Sequence, residues 1–358
     1  KGDPMHPSSS RIQRAWEGRI SGCMLGKPVE GLSMRKGPEV LLEQLKLADA
    51  LPLRNYVPDA GTDPMISSQS ACCLGHITRS EPDDDINYAV LALMMLEQHG
   101  KALTTTQVAQ YWLKHLPLAS TYTAERAAYR TLLVHGEEWF PERGEAGFDI
   151  AECANNPYND WIGAQIRADV YGWVCPGNPR LAVQLVTEDA KLSHRGAGIA
   201  GAQVVAAWGS LIPSHTDVAE ALTAAKPFLD DCPVAMEAIE LGESLAGDTG
   251  GGEAIVKHYG DMSAVHTLNN LALVVWAMLT YPDDFDAAIG EVVTAGLDTD
   301  CNGATVGGLW GLQDKPIPSH WTDPWQGQVG VSLAGQANLE LGDLVDRTVA
   351  VLDTLSST

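Results

Sequence analysis

The sequence predicts an all-α protein. Three observations carry that prediction. Apolar residues recur at helical spacing along most of the chain, the helical stretches begin and end on capping residues, and no run shows the period-2 alternation of β-branched residues that marks a strand. Residues 88–99 are apolar at nearly every position and stop at Gly100, a residue suited to a helix C-cap. Residues 104–116 open on threonines able to cap an N-terminus and halt before Pro117. Residues 124–135 end at Gly136. Further helices are expected over 180–192, 199–211, 218–228, 235–245, 268–279, 285–295 and 341–355. The segments 196–212 and 262–282 are long and mostly apolar. Gln203 and Ser210 in the first, and His266, Asn269 and Asn270 in the second, point to buried helices rather than membrane spans. The longest irregular parts are 47–83 and 137–178, and loops of that length in a compact fold often carry function. Gly247-Asp-Thr-Gly-Gly-Gly252 follows a helix and lacks the Lys-Ser/Thr of a phosphate loop, so it reads as a flexible connection.

Composition narrows the partners. The chain of 358 residues carries 46 Asp+Glu against 23 Lys+Arg, a net charge of −23, and 45% of its residues are hydrophobic. The apolar share is enough for a substantial core. The negative balance argues against nucleic acid or an anionic membrane surface as the main partner. The cysteines are Cys23, Cys72, Cys73, Cys153, Cys175, Cys232 and Cys301, an odd set without a CxxC pair. A reducing cytoplasm is therefore the expected compartment. Residues 1–10 are polar, contain Pro4 and Pro7, and lack a signal-peptide apolar run. A disordered tail is expected there, its first four residues a remnant of expression, ahead of one helical domain over 11–358.

Two acidic clusters stand out. Asp83, Asp84 and Asp85 lie directly before the apolar stretch 88–99. One Asp suffices to cap a helix and a second gains from the helix dipole; a third is more than capping requires. A bound cation would relieve the repulsion and use the oxygens as hard ligands. The plain alternative is an acidic surface turn. The second cluster is Asp298-Thr299-Asp300, between two expected helices, followed by the small residues Gly303, Ala304, Gly307 and Gly308. Another backbone could pack closely on such a helix. Both clusters sit at helix N-termini, which suggests a shared metal site.

At these residues the sequence resembles the ADP-ribosylglycohydrolases, the family of the dinitrogen-reductase-activating glycohydrolase and the ADP-ribosyl-acceptor hydrolases. The likeness runs from about residue 12 to about residue 355. A glycine ladder closed by Gly-x-Pro-x-Glu reads Gly18-Arg-Ile-Ser-Gly22-Cys-Met-Leu-Gly26-Lys27-Pro28-Val29-Glu30. The family's Thr-Asp-Asp-Thr matches Asp83-Asp84-Asp85-Ile86, and its Asn-Gly-x-x-Met-Arg matches Ile162-Gly163-Ala164-Gln165-Ile166-Arg167. Its Ser/Thr-His matches Ser193-His194, its Asp-Thr-Asp-Thr matches Asp298-Thr299-Asp300-Cys301, and its Ile-Pro-x-x-Trp matches Ile317 to Trp321.

The resemblance implies an all-α fold, two Mg²⁺ ions between the acid clusters, with Mn²⁺ as a substitute, and an ADP-ribose cleft above them. It makes Asp83, Asp84, Asp85, Asp298 and Asp300 metal ligands, with Cys301 in the place of a threonine ligand. Glu30 would gate the cleft, and Glu30, Asp84 and Asp300 are the candidates for acid–base chemistry. Gly163, Arg167 and His194 would line the substrate site, and Asn302 could lend an amide oxygen. On the residues alone His194 is more often a helix-end histidine, Arg167 and Lys27 could meet phosphate or equally form ion pairs, and Trp161, Tyr171 and Trp173 could stack on a base but are more commonly core aromatics. Cys301 departs from the family, since a thiol is a poor ligand for Mg²⁺. Cys23, Ile86 and Ile162 also depart, and their places in the motifs put them around the substrate more than the metals. The implied reaction is hydrolysis at the anomeric carbon of a ribose, on an ADP-ribosylated protein or small molecule. Hydrolysis of a small N-riboside or nucleotide is the alternative, and a non-catalytic ADP-ribose binder is the third reading.

Overall fold

A computed structural model of the chain describes residues 5–59, 63–136 and 146–357. In chain order its helices are α1 (Ser9–Lys36), α2 (Pro38–Leu47), α3 (Pro64–Ser67), α4 (Asp84–His99), α5 (Thr105–His115) and α6 (Thr123–Val134). There follow α7 (Asp169–Trp173), α8 (Pro179–Ala190), α9 (Ala197–Leu211), α10 (Val218–Ala225), α11 (Pro233–Ser244) and α12 (Gly251–Tyr259). The last are α13 (Thr267–Thr280), α14 (Phe285–Thr294), α15 (Thr299–Gly311), α16 (Ser319–Thr322) and α17 (Leu341–Ser356). One antiparallel ribbon, β1 (Gln328–Gly330) against β2 (Asn338–Glu340), sets Val329 opposite Leu339. The fold is all-α, and each expected helix is present with its ends shifted by a few residues. The two apolar segments are the buried helices α9 and α13. Among the described residues no helix is long and apolar enough to cross a membrane.

The structure corrects three readings. The segment 47–83 is broken by α3 and a 3-10 turn, and 146–178 holds two 3-10 turns and α7; residues 137–145 of that expected loop lie outside the described residues. Gly251 and Gly252 open α12 rather than forming a flexible connection. A Cβ on Gly251 would lie 2.2 Å from the Trp276 ring nitrogen, so this glycine admits a tryptophan. The third correction is α1, a 28-residue helix with Pro28 inside it. It is buried on all sides from Arg19 to Gly26, so no amphipathic stripe marks it.

α1 is central because of what it touches. It runs antiparallel to α15 with almost no side chain between the two backbones. A Cβ on Gly22 would sit 1.8 Å from the Gly303 carbonyl oxygen, and one on Gly18 would sit 2.0 Å from that of Gly307. Gly26 meets the Thr299 carbonyl group in the same way, and Gly311 meets that of Arg14. Glycines repeat every fourth residue on both helices, so they stack on one face of each and let the two axes approach. The side chains flanking this seam are then fixed relative to one another. Thr299 Oγ1 donates to the Gly26 carbonyl at 2.8 Å and locks the register at the N-terminal end of α15.

Gly22→Ala should lower stability by about 1–3 kcal/mol through overpacking of this seam. Gly342→Ala, in α17 where nothing lies within 4 Å of the added methyl, should be neutral or slightly stabilising. Urea unfolding of the two variants checks the contrast; equal midpoints would contradict it.

Candidate metal centre

α4 and α15 bring the two acidic clusters together. Asp83 is the N-cap of α4, and its Oδ1 accepts from the Asp85 backbone N–H at 2.9 Å. Its Oδ2 accepts from Lys27 Nζ at 2.6 Å. Burial works against ionisation of Asp83, but the Lys27 ammonium and hydrogen bonds around Asp83 outweigh it and hold the carboxyl below its usual range. Capping puts Asp84 in the first turn, partly exposed at the cleft, and Asp85 beneath it, fully buried.

α15 starts from an unusual turn. Gly296 and Leu297 have φ of +89° and +61°, and a left-handed leucine costs on the order of 1 kcal/mol. The turn is held because Leu297's carbonyl accepts from Ser33 Oγ at 2.8 Å and the Asp298 N–H donates to Asn270 Oδ1 at 3.2 Å. Asp298 occupies the N-cap position without capping, so its carboxylate is turned to other use.

The result is a dense group of acids. Oxygens of Asp83, Asp85 and Asp300 and the Cys23 sulfur all lie within 4.8 Å of one another, as do oxygens of Asp298 and Asp300 and the Cys301 sulfur. Asp85 Oδ1, Asp298 Oδ1 and Asp300 Oδ1 are buried without a hydrogen bond, and Asp85 Oδ1 has the Arg19 guanidinium 3.7 Å away. Unpaired buried carboxylate oxygens are costly. Burial and mutual repulsion push Asp84, Asp85, Asp298 and Asp300 upward in pKa. Glu30, at the end of the glycine ladder, is pushed up to about 8 by burial and by the charges of Asp298 and Asp83. Unpaired hard oxygens in close convergence fit a divalent cation, which would pair them and reverse these shifts.

A cleft of about 680 Å³ opens over the cluster. Glu30, Asp83, Asp84, Asp298 and Cys301 lie along it, with Ile162, Gly163, Trp161 and Tyr122 on its walls. Such a volume suits one small organic ligand. Arg167, His194 and Asn302 lie behind the walls rather than on them. Arg167 is buried, with Nη1 donating to Glu125 Oε1 at 2.7 Å, Nε donating to Asp189 Oδ1 at 2.8 Å, and its guanidinium against the Tyr88 and Trp112 rings. Burial and the Arg167 charge keep the His194 ring neutral; its Nδ1 meets Ser193 Oγ at 2.7 Å. Asn302 Nδ2 donates to Asn270 Oδ1 at 2.7 Å, bracing the α15 turn. Among the departures, Ile162 reaches the cleft, whereas Ile86 is buried in the core. Cys23 belongs with the carboxylates rather than around the substrate, because the seam places its sulfur beside Asp85.

Two residues at the site carry no mark in the sequence motifs. Arg19 is fully buried in α1. Its Nε and Nη2 donate to the Asp85 carbonyl at 3.2 and 2.7 Å, and its Nη1 donates to Asp169 Oδ2 at 2.6 Å. It anchors the first turn of α4 from below. Glu125 lines the cleft and is held by Arg167; a Cβ on Gly163 would overlap its carboxylate. A charged residue inside an otherwise apolar and small-residue stretch was the available signal for Arg19. No signal in the sequence pointed to Glu125.

A profile of the ADP-ribosylglycohydrolases matches residues 5–353. No curated protein matches the chain. A solved structure described as an ADP-ribosylglycohydrolase-related protein complex aligns with 97% of this chain and 99% of its own, at 18% identity and a TM-score of 0.53. That likeness supports the fold.

Arg19→Ala should cost about 3–5 kcal/mol, because it strips a buried carboxylate of its partner; denaturant unfolding reads it. The metal-free protein should also respond to pH. Glu30 holds its proton up to about 8 when folded but only to 4.5 when unfolded, so rising pH over that window favours unfolding. The Tm difference between metal-loaded and EDTA-treated protein should widen from pH 5 to pH 8; a constant difference would contradict the electrostatic account.

Proposed function

We infer a metal-dependent reaction at ribose from one premise: the chain belongs to the ADP-ribosylglycohydrolase family and is a hydrolase of glycosidic bonds. The observation that carries the inference is the convergence of buried carboxylate oxygens of Asp85, Asp298 and Asp300 that accept no hydrogen bond, beneath a cleft that Asp83, Asp84 and Asp298 line. The substrate is an ADP-ribose conjugate, cleaved at the anomeric carbon of the ribose.

Asp83, Asp84, Asp85, Asp298 and Asp300 would hold the cations, two in number on the family resemblance, and their oxygens suit Mg²⁺ and Mn²⁺. When bound, such ions orient ribose hydroxyls and acidify water. They also offset the repulsion between a diphosphate and a chain of charge −23. The rest falls to the chain's own residues. Glu30 stands at the cleft, and its proton affinity, raised by burial and by the charges of Asp298 and Asp83, would fall once cations offset those charges, which frees its carboxylate to act as general base. It takes a proton as water attacks the anomeric carbon. The bond to the leaving group breaks through an oxocarbenium-like transition state, and the leaving group departs with its electron pair and is then protonated. Trp161 and Tyr122 offer aromatic faces for a base, and the exposed Arg35 at the mouth can meet the diphosphate.

A second reading, hydrolysis of a small N-riboside or nucleotide, draws on Ile162, an apolar side chain on the cleft wall where the family resemblance leads to an asparagine. Arg- and Ser-linked ADP-ribosyl peptides, ADP-ribose conjugates and simple nucleosides, assayed side by side with and without divalent ions, separate the two. ADP-ribose conjugates should be cleaved. Glu30→Gln and Asp300→Asn should each lower kcat by about 10²-fold or more, and EDTA should abolish turnover. Cleavage of nucleosides alone would favour the second reading. Equal rates for wild type and Asp300→Asn would sink both.

A further inference from the structure

The carboxylates are not alone at this centre. Glycine packing of α1 on α15 drives Cys23 into the cluster from one helix, while Cys301 enters from the other. The Cys23 sulfur lies within 4.8 Å of ligating oxygens of Asp83, Asp85 and Asp300. The Cys301 sulfur lies within the same distance of those of Asp298 and Asp300, and donates to Asp85 Oδ2 at 3.3 Å. Both thiols are free, and both are shielded from solvent, at 2% and 4% exposure. Asp85 and Asp300, each with an Oδ1 that accepts no hydrogen bond, belong to the first group, and Asp298 and Asp300, likewise, to the second. Among the described residues, each of the two acidic groups that could hold an ion therefore includes one sulfur.

Mg²⁺ demands oxygen in near-octahedral geometry, whereas thiolate ligands select softer ions. We propose that Cys23 and Cys301 serve as sulfur ligands, so that this is a mixed oxygen–sulfur centre preferring a thiophilic divalent ion such as Zn²⁺ over Mg²⁺. The proposal rests on the metal-centre reading above and concerns the identity of the ion. As a metal–sulfur bond forms, the thiol proton leaves to solvent, so binding releases protons.

The test uses the full chain stripped of metal and titrated with Co²⁺, whose thiolate bonds give an intense sulfur-to-cobalt charge-transfer absorption in the near ultraviolet. The band should appear in the wild type, weaken in Cys23→Ser and in Cys301→Thr, and vanish in the double variant. Competition titrations should show the preference for Zn²⁺ over Mg²⁺ falling by about tenfold or more in the double variant. Co²⁺ binding without the band, or a band that persists in the double variant, overturns the sulfur ligation and leaves the metal centre standing. No binding of Co²⁺, Zn²⁺ or Mg²⁺ overturns both. If the variants fail to fold, the wild-type spectrum decides.

Discussion

The structure depends on the contact of two helix backbones. Gly18, Gly22 and Gly26 of α1 face Gly307, Gly303 and Thr299 of α15 at distances that exclude a methyl group. That contact sets Glu30, Cys23 and Arg19 of one helix beside Asp298, Asp300 and Cys301 of the other. Glycine is a poor helix former, at about 1 kcal/mol per residue relative to alanine. Its use at so many positions is understandable only if the close approach returns more than that, in dispersion contacts and in the geometry of the site.

That geometry concentrates negative charge where water is scarce. Arg19 and Lys27 offset part of it, one under Asp85 and one beside Asp83. The remaining carboxylates have raised proton affinities and unpaired oxygens. A buried array of this kind is unstable as a purely structural element, because the desolvation of each charge exceeds what its neighbours of like sign can give back. Bound cations would neutralise the array beneath the cleft. The strained turn at Leu297 fits this view, since it turns Asp298 away from capping its own helix.

Much of this was legible in the sequence. Helices α4 to α6, α8 to α11, α13, α14 and α17 follow from periodicity and caps, and the acidic triplet before α4 exceeds what capping needs. The small residues after Asp300 foretold a close helix contact. What was hidden has physical reasons. The middle of α1, Arg19 to Gly26, is buried all round, so it lacks the stripe that reveals a helix, and Pro28 reads as a break. Arg167 and His194 sit in recognisable motifs, yet their side chains point into the interior, where a salt-bridge network and a neutral ring brace the cleft walls. Cys23 read as a departure near the substrate because only the inter-helix register, set by glycines distant in sequence, reveals which side chains its sulfur meets. Glu125 became visible only when the Gly163 backbone was seen to make room for it.

The central claim is that the converged aspartates are a divalent-cation centre. Equilibrium dialysis of the stripped full chain against divalent metal, with elemental analysis, tests it most directly. The account predicts bound metal in stoichiometric amount for the wild type and its loss in an Asp85→Asn/Asp298→Asn variant that retains its helical circular dichroism. Metal content that is negligible in the wild type, or unchanged in that variant, would contradict it.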